Sequence, residues 1–159
     1  MTRLSKTKFS VNKLLEDEVI FSQAYANKSY SATTKDIEIT VWPEFLDSKS
    51  SAVGDLFVWA YHVRIDNKSS DSVQLLNRYW RIIDEMGVVQ EVNGEGVVGE
   101  QPIIISGGSY QYSSGVHLRH PSGIMAGKYQ MQKIEGDEVF DVTIPTFSLD
   151  VPTIKNVVN

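Results

Sequence analysis

The run Gly94-Glu95-Gly96-Val97-Val98-Gly99 has the spacing of a dinucleotide-binding turn. In such turns the glycines let backbone N–H groups approach a pyrophosphate seated at the N-terminus of the following helix. The chain beyond Gly99 does not read as that helix. Pro102 biases Gln101 away from helical geometry, and Ile103 to Ile105 read as strand. Charge points the same way, since Asp84, Glu85, Glu91, Glu95 and Glu100 surround the loop and no Lys or Arg lies between Arg81 and Arg119. Each carboxylate about 8 Å from a doubly charged pyrophosphate opposes it by roughly 1 kcal/mol in water, before salt screens it. Two readings stay open. Either the glycines serve backbone turns, or Gly94, Gly96, Gly99 and Glu100 hold a polyphosphate with Arg78 or Arg119 folding over it and a divalent cation offsetting the acidic side chains.

Other candidate chemistry is thinner. His62, His117 and His120 are the three histidines, and on an extended chain His117 and His120 point to opposite faces, so no joint metal site is expected. Ser113-Ser114-Gly115 lacks the flanking pattern of a nucleophile elbow. Twenty acidic residues make some carboxylate proximity inevitable, so no acid–base pair can be singled out. No catalytic residue and no cofactor are expected. Trp42, Trp59 and Trp80 read as core anchors rather than pocket walls.

The elements that position these residues are strands. Ile37, Ile39 and Val41 alternate with Glu38, Thr40 and Trp42, with Pro43 expected to stop the run. Phe57, Trp59, Tyr61, Val63 and Ile65 share one face, and after the polar turn Asn67 to Asp71 the stretch 73 to 83 resumes alternation, with Leu76, Trp80 and Ile82 together. A hairpin joining these two strands is expected. Asp84 to Gly87 reads as a turn into a strand at Val88 to Val92. Later short strands fall at Ile103 to Ile105, Ser109 to Ser113, Val116 to Leu118, Tyr129 to Ile134 and Val139 to Ile144. About seven to nine short strands without amphipathic helices between them suit an antiparallel sandwich, with a closed barrel as the alternative. Residues 1–35 read as an extension, with a short helix near Val11 to Val19 followed by a linker, ahead of a domain at 36–152 and a tail at 153–159.

One domain fits 159 residues, and 42% hydrophobic residues suffice for a core. The formal net charge is -5, with six basic and three acidic residues in the first 35 and nine basic against seventeen acidic in the rest. So acidic a body repels phosphate backbones, and general nucleic-acid binding is disfavoured. The longest apolar run, Leu56 to Tyr61, is too short for a membrane span, and no apolar run fits a secretory signal after the basic start. With no cysteine, a cytoplasmic location is expected. Asn27-Lys28-Ser29 and Asn67-Lys68-Ser69 read as turn chemistry rather than glycan acceptors.

The segments Asn77-Arg78-Tyr79-Trp80-Arg81-Ile82-Ile83-Asp84 and Gly94-Glu95-Gly96-Val97-Val98-Gly99-Glu100-Gln101-Pro102 resemble the signature of the ApaG family. Tyr112-Ser113-Ser114-Gly115, Pro121-Ser122-Gly123, Gly127-Lys128-Tyr129-Gln130-Met131 and Phe140-Asp141-Val142 follow in that family's order. The resemblance spans roughly residues 36 to 152. It implies a fibronectin type III or immunoglobulin-like β-sandwich. It also implies a noncatalytic binding module that recognises a protein partner, with an indirect link to cobalt and magnesium resistance or efflux. The family's glycine motif, likened to pyrophosphate-binding loops, maps onto Gly94, Gly96 and Gly99. The identity of the partner and any homo-oligomeric state are left open.

Overall fold

Alternation becomes architecture because every second residue of each strand turns toward one shared interior. The computed structural model describes residues 28–152, and among them nine strands form two antiparallel sheets. One sheet runs in the order β1 (Tyr30–Thr34), β2 (Ile37–Phe45), β3 (Phe57–Asn67) and β7 (Ser109–Leu118). The other runs β5 (Val89–Glu95), β4 (Val73–Asp84), β8 (Ser122–Lys133) and β9 (Val139–Asp150), with the short β6 (Ile103–Ile104) pairing the far end of β4. The sheets are separate, so the sandwich reading holds over the barrel. The expected helix near Val11 to Val19 and the tail 153–159 lie outside the described residues.

Between the sheets Ile37, Ile39, Val41, Val63 and Ile65 are fully buried, and Trp80 sits at the centre of an aromatic cluster. Its ring lies 5.2 Å from Tyr61, 6.0 Å from Phe147 and 6.4 Å from Tyr129, all edge-to-face, which suits the ring quadrupoles. Trp59 is buried against Phe45, whereas Trp42 is only half-buried on the outer side. Trp42 is thus not a core anchor.

Four further expectations are corrected. Pro43 does not stop its strand: β2 continues to Phe45, opposite Trp59. Among the described residues the β1 pairing stops at Val41, so no β1 ladder bond is lost at the proline. Tyr30–Thr34, read as linker, is β1 and pairs with Val41–Ile37; its Ser and Thr content hid a strand whose partner, not its own period, fixes it. The two central strands do not form a hairpin either. After β3 the chain crosses to the opposite sheet through Asn67, whose side-chain amide donates to Asp71 O at 2.8 Å and Ile104 O at 3.0 Å while its carbonyl accepts from Ser69. With both ends of its amide engaged and 1% exposure, Asn67 is built for the turn, not for a glycan. Finally, Leu76 does not share the face of Trp80. The β4–β8 register slips between Leu75 and Asn77, so Val73 and Leu75 point inward before this bulge and Trp80 and Ile82 after it.

The β1–β9 side of the sandwich is laced shut. Thr143 N–H donates to Thr34 Oγ1, and Glu138 lies 2.9 Å from Lys35 Nζ and 3.0 Å from Lys133 Nζ. Hydrogen bonds from these two lysines hold the Glu138 pKa down at about 2. A depressed carboxylate pKa stabilises above its unfolded value and loses that stabilisation as pH falls through the folded value. The urea midpoint of the wild type is therefore expected to fall more between pH 5 and about 2 than that of Glu138→Gln. The groups are half exposed, so added salt should shrink the difference.

Candidate functional site

The bulge at Leu76 and the glycine run are one structure. Leu76 O, displaced from the β8 ladder, accepts from Gly96 N–H at 2.8 Å and from Gln101 Nε2 at 2.9 Å. Past the bulge Arg78 faces the side of Trp80 and Ile82, opposite Gly94 on β5. Its Nη1 donates to Glu95 O and Gly96 O, both at 2.9 Å. Gly94 permits this, because a Cβ there would stand 2.8 Å from Nη1 and 2.9 Å from Cζ. At Gly96 a Cβ would overlap Glu100 O, and φ is +59°. The tip closes as a two-residue turn between Val97 and Glu100, which exchange N–H···O bonds of 2.8 and 2.9 Å, with φ +45° at Val98 and +80° at Gly99. Positive φ at both central positions is the I′ hairpin geometry.

The sequence-derived site residues Gly94, Gly96, Gly99, Glu100 and Arg78 thus do converge, in a β-hairpin rather than ahead of a helix. The amides of Gly96, Val97 and Glu100 already donate to protein carbonyls. Glu100 accepts the Tyr110 hydroxyl at 2.9 Å; burial first, and Glu100 second, push that phenol up to about 12. Arg119, the other cation considered for the loop, lies exposed just beyond β7.

Val98 is the misfit, since a β-branched residue at positive φ costs about 1–2 kcal/mol and its side chain is largely exposed. Val98→Asn should raise stability by about 1 kcal/mol, measured by urea unfolding, because Asn-Gly is the preferred pair for this turn. An unchanged or lower midpoint would show that Val98 earns its place by packing.

Spacing could not reveal a second cluster, on the outer face of the first sheet. His62 stands between strands: Nδ1 is 2.6 Å from Ser113 Oγ on β7 and Nε2 is 2.8 Å from Glu44 Oε2 on β2. A serine, a histidine and a carboxylate in line are the parts of an acyl-transfer relay. Here the serine stands mid-strand on a sheet face, without the sharp strand-to-helix turn that presents such a nucleophile. The cluster was hidden because His62 and Ser113 meet only through the β3–β7 register. His120 serves a turn: with the amides of Met86 and Val88 it hydrogen-bonds Asp84. Burial works against Asp84 ionisation, and these bonds outweigh it to keep the carboxyl below its ordinary pKa. His117 is exposed on β7. Among the described residues no group of three His, Asp or Glu side chains is placed to hold a metal ion, and no helix is long and apolar enough to cross a membrane.

A third feature is a cavity of about 280 Å³ between the unsealed edges of the two sheets, walled by β5 and β7 and floored by Tyr61, Trp80 and Met125.

The fold and its hairpin define a small antiparallel β-sandwich domain whose glycine-rich turn is nailed to a bulge in the neighbouring strand. The sequence profile described as the ApaG domain matches residues 47–133, and the chain belongs to the ApaG family. It is 56% identical over 126 residues to Protein ApaG of Paramagnetospirillum magneticum, covering 79% of this chain and 96% of that one. It is 52% identical over 130 residues to Protein ApaG of Brucella suis, covering 82% and 99%. Among solved structures it is similar to an ApaA protein from Bordetella pertussis, with a TM-score of 0.71 and 38% identity over 74% of this chain and 94% of that one.

Proposed function

We propose that this protein is a noncatalytic, cytoplasmic recognition domain that binds an extended segment of a partner protein along the open β5 edge. One observation carries the reading: among the described residues β5 pairs on one side only, with β4, and six of its seven residues are exposed, Val89 and Val92 among them. A strand in that state offers a row of backbone donors and acceptors to another chain. The opposite side of the sandwich is instead bridged by Thr34, Lys35 and Glu138. Any influence on cobalt or magnesium tolerance would run through the partner.

A photo-crosslinking residue at Gln90 on β5, compared in cells with one at Ile124 on the exposed face of β8, tests this. A discrete adduct from position 90 and none from 124 is expected; the reverse overturns the assignment. For the noncatalytic half, a serine-directed phosphonate should leave Ser113 unlabelled. Labelling abolished by His62→Ala would make the outer-face relay an active site. On this reading a dinucleoside polyphosphate with magnesium also gives no calorimetric heat at the Gly94 to Gly99 hairpin.

A further inference from the structure

Arg78 is a cation on the inner face of a β-sandwich, and among the described residues no carboxylate pairs with it. Its Nη1 is occupied by the Glu95 and Gly96 carbonyls, yet these neutral acceptors do not cancel its charge. A partly buried charge without a counter-ion is costly, and its presence beside a cavity asks what completes it. Arg78 lines the 280 Å³ cleft between β5 and β7, and no Asp or Glu does. Trp80 lines the same cleft, and its indole N–H is buried without any hydrogen-bond partner. Such orphans are rare in native folds.

The other walls set the ligand's shape. Ile82, Val92, Val116 and Met125 are apolar, Tyr61 and Ser114, register partners on β3 and β7, supply neutral hydroxyls, and Gln90 and His117 complete the polar lining. Burial pushes the Tyr61 phenol up, so it remains a hydroxyl at neutral pH. A volume just under the usual range for ligand pockets admits only a small molecule. The planar guanidinium fork matches a carboxylate, while a polyphosphate would leave the apolar walls unfilled.

We propose that this cleft binds a small organic carboxylate with a flat apolar body, its carboxylate on Arg78 and its body against Trp80 and Met125. This goes beyond recognition at the β5 edge and does not depend on it.

The test is a titration of the full-length, ¹⁵N-labelled protein with 3-phenylpropionate, following the Trp80 indole N–H resonance, which is assigned by its loss in Trp80→Phe. A saturable shift at millimolar concentrations is expected, with 3-phenylpropionamide binding at least tenfold more weakly because it lacks the charge. Arg78→Gln should weaken binding similarly. Because Arg78 also holds the hairpin, Val92→Trp provides the second variant: it fills the cleft mouth from a half-open strand and leaves Arg78 in place. It should also reduce affinity at least tenfold. An unmoved Trp80 resonance overturns the proposal, as does equal binding of the amide, equal binding by Val92→Trp, or an equal response to inorganic pyrophosphate.

Discussion

Trp80→Ala should lower stability by about 3–5 kcal/mol, whereas Trp80→Phe should cost under about 1.5 kcal/mol. Trp80 is 1% exposed and touches Tyr61, Tyr129 and Phe147 from both sheets, so truncation opens a void that none of these rings can close alone. Phenylalanine keeps most of the ring. It also removes an N–H that no acceptor satisfies, so no hydrogen bond is lost on the exchange. Urea unfolding of the two variants decides the matter. A phenylalanine penalty as large as alanine's would mean that the indole N–H has a partner in solution.

Gly127→Ala should cost about 3 kcal/mol, although alanine is ordinarily a mild replacement. Gly127 faces Trp80 across the β4–β8 ladder. A Cβ there would overlap Tyr79 O and stand 2.9 Å from Trp80 Cε3, between a backbone that cannot yield and the best-packed ring of the core. Gly87→Ala is the control. That turn glycine has φ +81° and open space around it, so only conformational strain of about 1 kcal/mol is expected. Equal losses at the two positions would refute the steric account of Gly127.

Strand faces were legible wherever one strand buried one face. Ile37, Ile39 and Val41, and Trp59, Tyr61, Val63 and Ile65, are inside as alternation requires. Pairing was less legible, because period two says which face is buried and nothing about which neighbour covers the backbone. Hence β3 and β4, consecutive and both apolar, were assigned to one hairpin yet lie in different sheets. Leu76 misled for a related reason: a bulge resets the alternation, and a leucine looks the same on either side of it. At the candidate site, the glycine run and Arg78 were found, and the acidic surroundings together with Pro102 argued correctly against a following helix. That Arg78 shares the face of Trp80 follows from alternation, but its reach to the Glu95 and Gly96 carbonyls was not readable, since it rests on the β4–β5 register. Nor was the Glu44–His62–Ser113 line, which exists only through two strand registers.

The extra residue at Leu76 sets the phase of everything downstream on its strand. Deleting it would leave β4 with a single unbroken alternation in which Val73, Leu75, Arg78, Trp80 and Ile82 still share the inner face. What the shortening would withdraw is the carbonyl to which Gly96 and Gln101 are tethered. A one-codon loss at a half-buried leucine would thus spare the inner face of the sheet and unmoor the hairpin alone.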